Sequence, residues 1–140
     1  MSAGYSGTPL SRKLGIKEGH RVALLNAPNH VEALLAPLPS GVRIVHSLRG
    51  PGAFDVLLVF VRDGKELRRG FSRAAPRMKV AGGLWMSWPK ASSVLATELR
   101  EGEVRAQGLK QGLVDNKICA VDEDWSSLRF VVRLRDRSHS

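Results

Sequence analysis

Short apolar runs recur along the chain and are separated by polar or amphipathic segments. The runs over 21–25 and 55–61 are almost continuously apolar, which is typical of strands buried on both faces of a parallel sheet. The last run alternates apolar and polar positions, which indicates a strand with one wetter face in a terminal antiparallel hairpin. Together the runs predict six strands, over 21–25, 42–46, 55–61, 84–88, 117–122 and 128–134.

Helical patterns fall between most of these strands. A helix that begins at residue 63 or 64 carries Leu67 and Phe71 at the spacing of a buried stripe, and Pro76 ends it. Thr8-Pro9 has the composition of a helix start, since threonine caps well and proline suits the first helical position. The other helical segments are predicted over 8–14, 30–36 and 93–107, the last of them ended by Gly108.

The resulting order, β-α-β-β-α-β-α-β-β, predicts an α/β three-layer sandwich with a mostly parallel sheet that ends in an antiparallel hairpin. Eight residues, 47–54, join the second and third strands, and they are too few for a helix. Fully extended they reach about 26 Å, enough to return along a short strand and pass a neighbour. A parallel crossing is favoured here, and a hairpin with an antiparallel edge strand is the alternative.

The length of 140 residues predicts one domain over 8–135, with flexible ends over 1–7 and 136–140. No apolar run approaches the roughly 20 residues of a membrane span, and the first residues do not resemble a secretory signal. The single cysteine, Cys119, excludes an internal disulfide and lies in an apolar strand, where we expect an unreactive thiol. These features predict a cytoplasmic protein without a membrane partner.

Positive charge is concentrated in two segments of the chain. The protein has 22 Lys and Arg against 13 Asp and Glu, a net charge of +9. More than half of this excess lies over 62–79, and the tail adds further arginines. A concentrated positive field attracts polyanions. The helix after residue 63 is therefore a candidate nucleic-acid surface, through Arg68, Arg69, Arg73 and Arg77, although the same pattern also fits a solvated helix face.

Three segments resemble a family of small bacterial proteins that is catalogued only as a domain of unknown function. They are 7–28, 112–133 and the Gly-Leu-Trp-Met-Ser-Trp-Pro-Lys run over 83–90. The resemblance covers nearly the whole chain, from about residue 5 to residue 133. It implies a stand-alone cytoplasmic domain, and it implies no activity.

A looser resemblance is to the class I methyltransferase core, in which a Gly-Gly turn also precedes a late strand and an antiparallel hairpin ends the fold. It implies a degenerate Rossmann- or methyltransferase-like sheet. Two cofactor features are missing, however. No glycine occurs between Gly19 and Gly41, where such folds turn closely around a cofactor, and the second strand ends at His46-Ser47 without an acidic residue for ribose hydroxyls. We therefore expect no S-adenosylmethionine or NAD site of the usual kind and no cofactor.

In open α/β sheets the ligand crevice lies outside the carboxyl ends of the strands. His30 and His46 lie there, and histidine is a common general acid or base, but no nucleophile or orienting carboxylate accompanies them in the sequence, so no catalytic residue is assigned. Asp122, Glu123 and Asp124 alternate in direction and predict a turn rather than a metal site. The candidate ligand-binding residues are Asn26, Asn29, His30, His46, Trp88, Lys90 and Trp125.

Each of these residues also has a structural interpretation. Asn29 and His30 fit the first turn of a helix, His46 fits a polar strand end, and the tryptophans fit the core.

Three hypotheses follow. The first is a non-catalytic binding or regulatory module that holds a partner protein or a small molecule in the crevice. The second is a nucleic-acid-associated protein that uses the basic helix. The third is an enzyme with an unrecognised site around His30, His46 and Lys90.

Overall fold

A computed structural model describes residues 7–137. It has six strands: β1 (Arg21–Leu25), β2 (Arg43–Val45), β3 (Phe54–Phe60), β4 (Met78–Pro89), β5 (Leu113–Ala120) and β6 (Trp125–Val132). It has five helices: α1 (Leu10–Lys13), α2 (Val31–Leu34), α3 (Gly64–Ala74), α4 (Glu101–Lys110) and α5 (Leu134–Arg137). A 3₁₀ turn, Ala75–Arg77, continues α3 into β4.

All six strands form one mixed sheet in the order β2-β1-β3-β4-β6-β5. The first four pair in parallel, and β6 runs antiparallel to both β4 and β5. The predicted α/β class and terminal antiparallel hairpin are therefore confirmed. The parallel crossing from β2 to β3 is also observed, and the alternative antiparallel edge is wrong.

Several element boundaries differ from the sequence-based ones. The fourth helix begins at Glu101 rather than at residue 93, and the segment before it is a loop. Gly108 lies inside this helix instead of ending it. A Cβ at Gly108 would lie 2.1 Å from a ring carbon of Phe130, so glycine is needed there for close packing on β6. The turn that ends α4 is made by Gly112, whose φ is +83°.

The sheet separates two apolar clusters. Helices α3 and α4 cover one face, where Phe71 of α3 meets Phe130 edge-on at 4.9 Å between ring centroids. Helices α1 and α2 and their flanking loops cover the other face, which contains Trp85 and Trp125. Trp88 lies in the α3 face, so Trp85 and Trp88 point to opposite sides as their spacing predicts. None of the described helices is long and apolar enough to cross a bilayer.

Two arginines hold the eight-residue crossing from β2 to β3. Arg77 donates to the carbonyls of Leu48, Gly50 and Gly52 at 2.6–2.9 Å, and Arg21 donates to the carbonyls of Pro51 and Ala53. Both guanidinium groups also lie over the ring of Phe54. We call this arrangement the arginine clamp. It satisfies carbonyls that a helix would otherwise pair internally.

We predict that Arg77→Lys lowers the free energy of unfolding by about 1–3 kcal/mol, because an ammonium cannot replace three hydrogen bonds from one planar fork. Urea unfolding measures the difference. Arg68→Lys, on the exposed face of α3, is the control and should stay within about 0.5 kcal/mol of wild type. Equal losses in the two variants would contradict a special role for the clamp.

A second polar contact anchors the start of β3. Burial raises the pKa of the Asp55 carboxyl, but hydrogen bonds from the Arg21 N–H (2.8 Å) and from Lys79, with the charges of His20 and Lys79, outweigh it. The pKa of Asp55 is therefore lowered. A lowered pKa stabilises the fold above the unfolded-state value near 4, and this contribution disappears as the pH falls through the folded-state value.

We predict that Asp55→Asn destabilises the protein by about 1–3 kcal/mol at pH 7, because the charged acceptor is lost. The difference from wild type should shrink as the pH falls from about 5 to 2, since wild-type Asp55 is then protonated as well. Urea unfolding across this range tests the prediction. A difference that stays constant down to pH 2 would show that the charge of Asp55 does not matter.

Candidate functional site

A cavity of about 520 Å³ lies at the carboxyl end of the sheet, on the face that α3 covers. Its floor comes from the ends of β1 and β3 and from the segment after β2, and its wall comes from α3. We call it the arginine cavity. Its lining residues are Leu25, Asn26, Ala27, His46, Ser47, Leu48, Val59, Arg62, Glu66, Arg69, Gly70 and Arg73.

Local capping and packing place α3 at this wall. The Asp63 side chain accepts the N–H of Glu66 at 2.8 Å, and the Glu66 side chain accepts the N–H of Arg62 at 2.8 Å, so two free donors at the helix start are satisfied. Gly70 lets the helix approach the sheet, since a Cβ there would lie 3.3 Å from side chains of both Val59 and Met86. The predicted stripe of Leu67 and Phe71 is buried, which turns the basic face outward.

Three exposed arginines line the cavity. Arg69 and Arg73 lie one turn apart on α3, and Arg62 follows β3. The Arg62 guanidinium lies 5.5 Å from the ring centroid of buried Trp125, a cation–π contact. Glu66 is the one carboxylate among the described lining residues, so the wall is strongly positive.

Asn26 makes the turn after β1 with a φ of +57°, in the left-handed region. The absence of a glycine between Gly19 and Gly41 predicts that no close turn of the cofactor-binding kind follows β1. The turn is nevertheless present, because asparagine tolerates left-handed backbone better than most residues. The sequence signal for this left-handed turn is the asparagine at position 26.

His46 lies where the arginine cavity meets a smaller cavity of about 310 Å³, which Asn26 and Asn29 also line. Its Nε2 is 2.6 Å from Oε1 of Glu32. The expectation that no orienting carboxylate accompanies His46 is therefore wrong. Glu32 is a polar residue of α2, and only the folded chain brings it to the end of β2.

His30 lies in a different place. Its Nε2 is 2.7 Å from Oδ2 of Asp122, so this histidine also has a carboxylate partner, 92 residues away. The pair borders a third cavity of about 440 Å³, which α1, α2 and the turn after β5 line. Asp122 also accepts the N–H groups of Asp124 and Trp125, and it makes the predicted turn. Residues 7–137 contain no cluster of three or more His, Cys, Asp or Glu that could hold a metal ion.

The remaining predicted residues do not join one site. Trp88 and Trp125 are 4% and 1% exposed and lie in opposite apolar clusters. Lys90 is half-buried, and its backbone N–H donates to the carbonyl of Asp124. Cys119 is half-buried, and burial raises the pKa of its thiol, as an unreactive cysteine requires.

The two surfaces predicted separately from the sequence meet in space. Arg69 and Arg73, assigned to the nucleic-acid surface, line the same cavity as the crevice residues Asn26 and His46. Arg68 is exposed on α3 and does not line the cavity. The side chain of Arg77 is used in the arginine clamp instead.

Solved structures share this fold. A possible exported protein from Bordetella parapertussis is similar with a TM-score of 0.65 and 14% identity over 88% of this chain and 65% of that one. A fibrillarin from Aeropyrum pernix with natively bound S-adenosyl-L-methionine gives 0.59 and 13% over 87% and 73%. The magnesium protoporphyrin IX methyltransferase from Synechocystis with bound SAH gives 0.55 and 11% over 83% and 75%.

These likenesses define the class: a single-domain α/β protein with a methyltransferase-like Rossmann fold. At such low identities they show the fold alone. The chain spans less than two thirds of the length of the Bordetella protein. No protein-family model matches the chain, and no curated protein matches it in sequence. The closer resemblance to a domain of unknown function thus gains no support, and the looser one to the methyltransferase core is confirmed at the level of the fold.

We predict that Asn26→Gly leaves the free energy of unfolding within about 0.5 kcal/mol of wild type, whereas Asn26→Ala lowers it by about 1 kcal/mol, because alanine strains the left-handed turn. Urea unfolding of both variants makes the comparison. If alanine is tolerated as well as glycine, the backbone at residue 26 is not held in this conformation.

Proposed function

We propose that the protein is a small, non-catalytic binding module that recognises an anionic ligand in the arginine cavity. The observation behind this proposal is the charge of the wall: Arg62, Arg69 and Arg73 are exposed, and the side chain of Glu66 already accepts a backbone N–H. A guanidinium group recognises carboxylate and phosphate groups through two parallel hydrogen bonds.

Size and position also favour this assignment. About 520 Å³ falls within the usual range for ligand sites, roughly 300–1,000 Å³. The cavity lies at the carboxyl end of parallel strands, where ligands of α/β sheets bind. We place this binding in the cytoplasm, in keeping with a lone free cysteine.

Binding of an S-adenosyl cofactor is the second candidate. The similar structures include proteins with SAH or S-adenosyl-L-methionine bound, and Asn26 supplies a left-handed turn after β1. The position after β2, however, holds His46 and Ser47 rather than a carboxylate for ribose hydroxyls. This candidate therefore ranks below a simple anion.

Nucleic-acid binding along α3 is a third candidate, supported by exposed Arg68, Arg69 and Arg73. It differs from the cavity proposal in one respect. A phosphate backbone lying on the helix surface would use Arg68 as much as Arg69, whereas a ligand inside the cavity would use Arg69 and not Arg68.

The fourth candidate function is an enzyme whose active site lies near His30 or His46. The pairs His30–Asp122 and His46–Glu32 have the geometry of an oriented general base. Both histidine side chains are more than half exposed, as in ordinary surface ion pairs, so we assign no catalytic residue.

We predict that inorganic pyrophosphate, as a minimal anion, raises the melting temperature of the wild-type protein by a few degrees at millimolar concentration, because a ligand that binds only the folded state stabilises it. Arg69→Glu should abolish the shift, and Arg68→Glu should preserve it. Differential scanning fluorimetry with ADP, S-adenosylhomocysteine and a short RNA in parallel compares the candidates.

Other patterns would point elsewhere. A shift with S-adenosylhomocysteine alone would favour the cofactor candidate. A shift with RNA that both substitutions weaken equally, and that falls steeply with salt, would favour nucleic-acid binding. Equal shifts in wild type and Arg69→Glu with pyrophosphate would place the anion outside the cavity and contradict the proposal.

A further inference from the structure

On the α3 side of the sheet, no described helix lies over two of the six strands, β1 and β2. Parallel strands are usually joined by helices that cover both faces of the sheet. Here α3 lies over β3 and β4, and α4 over β5 and β6, but the crossing from β2 to β3 has no helix. In the described part of the chain, the α3 side of β1 and β2 is therefore left without a helical layer.

This strip is apolar and only partly exposed, since Ala23 of β1 is fully buried in the same cluster. Leu25 of β1, Val45 of β2 and Leu48 of the crossing are half-buried and pack at the margin of the cluster under α3. Leu25 and Leu48 also form the floor of the arginine cavity. The cavity is thus the open space between an apolar strip and the basic wall of α3.

We infer that this space docks an acidic amphipathic helix of a partner protein, which completes the missing layer of the sandwich. The inference rests on the proposed function and names its ligand. The helix would place its apolar face on Leu25, Val45 and Leu48, with carboxylates on the flank that faces Arg69 and Arg73.

Charge complementarity selects this occupant over others. A second copy of the chain carries a net charge of +9 and would repel this wall. A small anion would satisfy the arginines but leave the exposed parts of Leu25, Val45 and Leu48 in contact with water. A helix with one acidic flank satisfies both halves of the surface at once.

The test uses a labelled helical peptide of about 18 residues, long enough to hold a helix in water. Leucines at positions i, i+3, i+4 and i+7 form one face, and glutamates form one flank. Fluorescence anisotropy measures its dissociation constant against the full chain. We expect binding, with Arg69→Glu weakening it about tenfold, or about 1.4 kcal/mol, and Arg68→Glu changing it less than about twofold.

A second peptide of identical composition and charge has its leucines and glutamates scattered around the helix. We expect it to bind at least about tenfold more weakly, because it lacks a continuous apolar face. Val45→Ser should weaken the designed peptide without changing the pyrophosphate shift, since Val45 belongs to the strip and does not line the cavity, provided that its melting curve shows a folded protein. Equal binding of the two peptides would reduce the interaction to bulk charge and overturn the inference.

The two proposals fail in different ways. If pyrophosphate stabilises the protein through Arg69 and the designed peptide does not bind, the helix inference is wrong and the anion-binding function stands. If neither probe depends on Arg69, both proposals are wrong. If RNA displaces the peptide and binds with equal loss in Arg68→Glu and Arg69→Glu, the basic face of α3 is a nucleic-acid surface instead.

Discussion

The arginine clamp is the interaction on which the form of the crevice depends. A crossing between parallel strands exposes carbonyl groups that a helix normally pairs internally. Here Arg21 and Arg77 donate five hydrogen bonds to consecutive parts of an eight-residue loop and lie over Phe54. Because side chains satisfy this loop, no helix is needed over β1 and β2. The space beside α3 stays open as a direct consequence.

Helix α3 then has two roles that its sequence separates by face. Leu67 and Phe71 fix it to the sheet, and Gly70 sets how closely it lies. The opposite side projects Arg69 and Arg73 over the open space. In a sandwich with a further helix over β1, these arginines would meet that helix instead of a cavity. Because the crossing before β3 contains no helix, the basic face of α3 lines a cavity rather than packing against a neighbouring helix.

Local patterns were sufficient for the central sheet and insufficient for the site. Continuous apolar runs predict the bounds of β1 and β3 to within one residue, because strands buried on both faces are apolar at nearly every position. The end of the fourth helix was predicted too early because glycine usually stops a helix, whereas the role of Gly108 depends on Phe130 in a distant strand. The strand-end rule placed Asn26 and His46 at the crevice. It could not supply Asp122 for His30, since 92 residues separate that pair.

The electrostatics of the crevice also bear on why a methyltransferase-like fold need not bind the same cofactor. S-adenosylmethionine carries a positive sulfonium and an ammonium as well as a carboxylate, and a wall of three exposed arginines repels the two positive groups. The turn after β1 takes a left-handed form at Asn26, beside the basic wall. An anionic ligand without a cationic centre fits this combination of a left-handed turn and a basic wall.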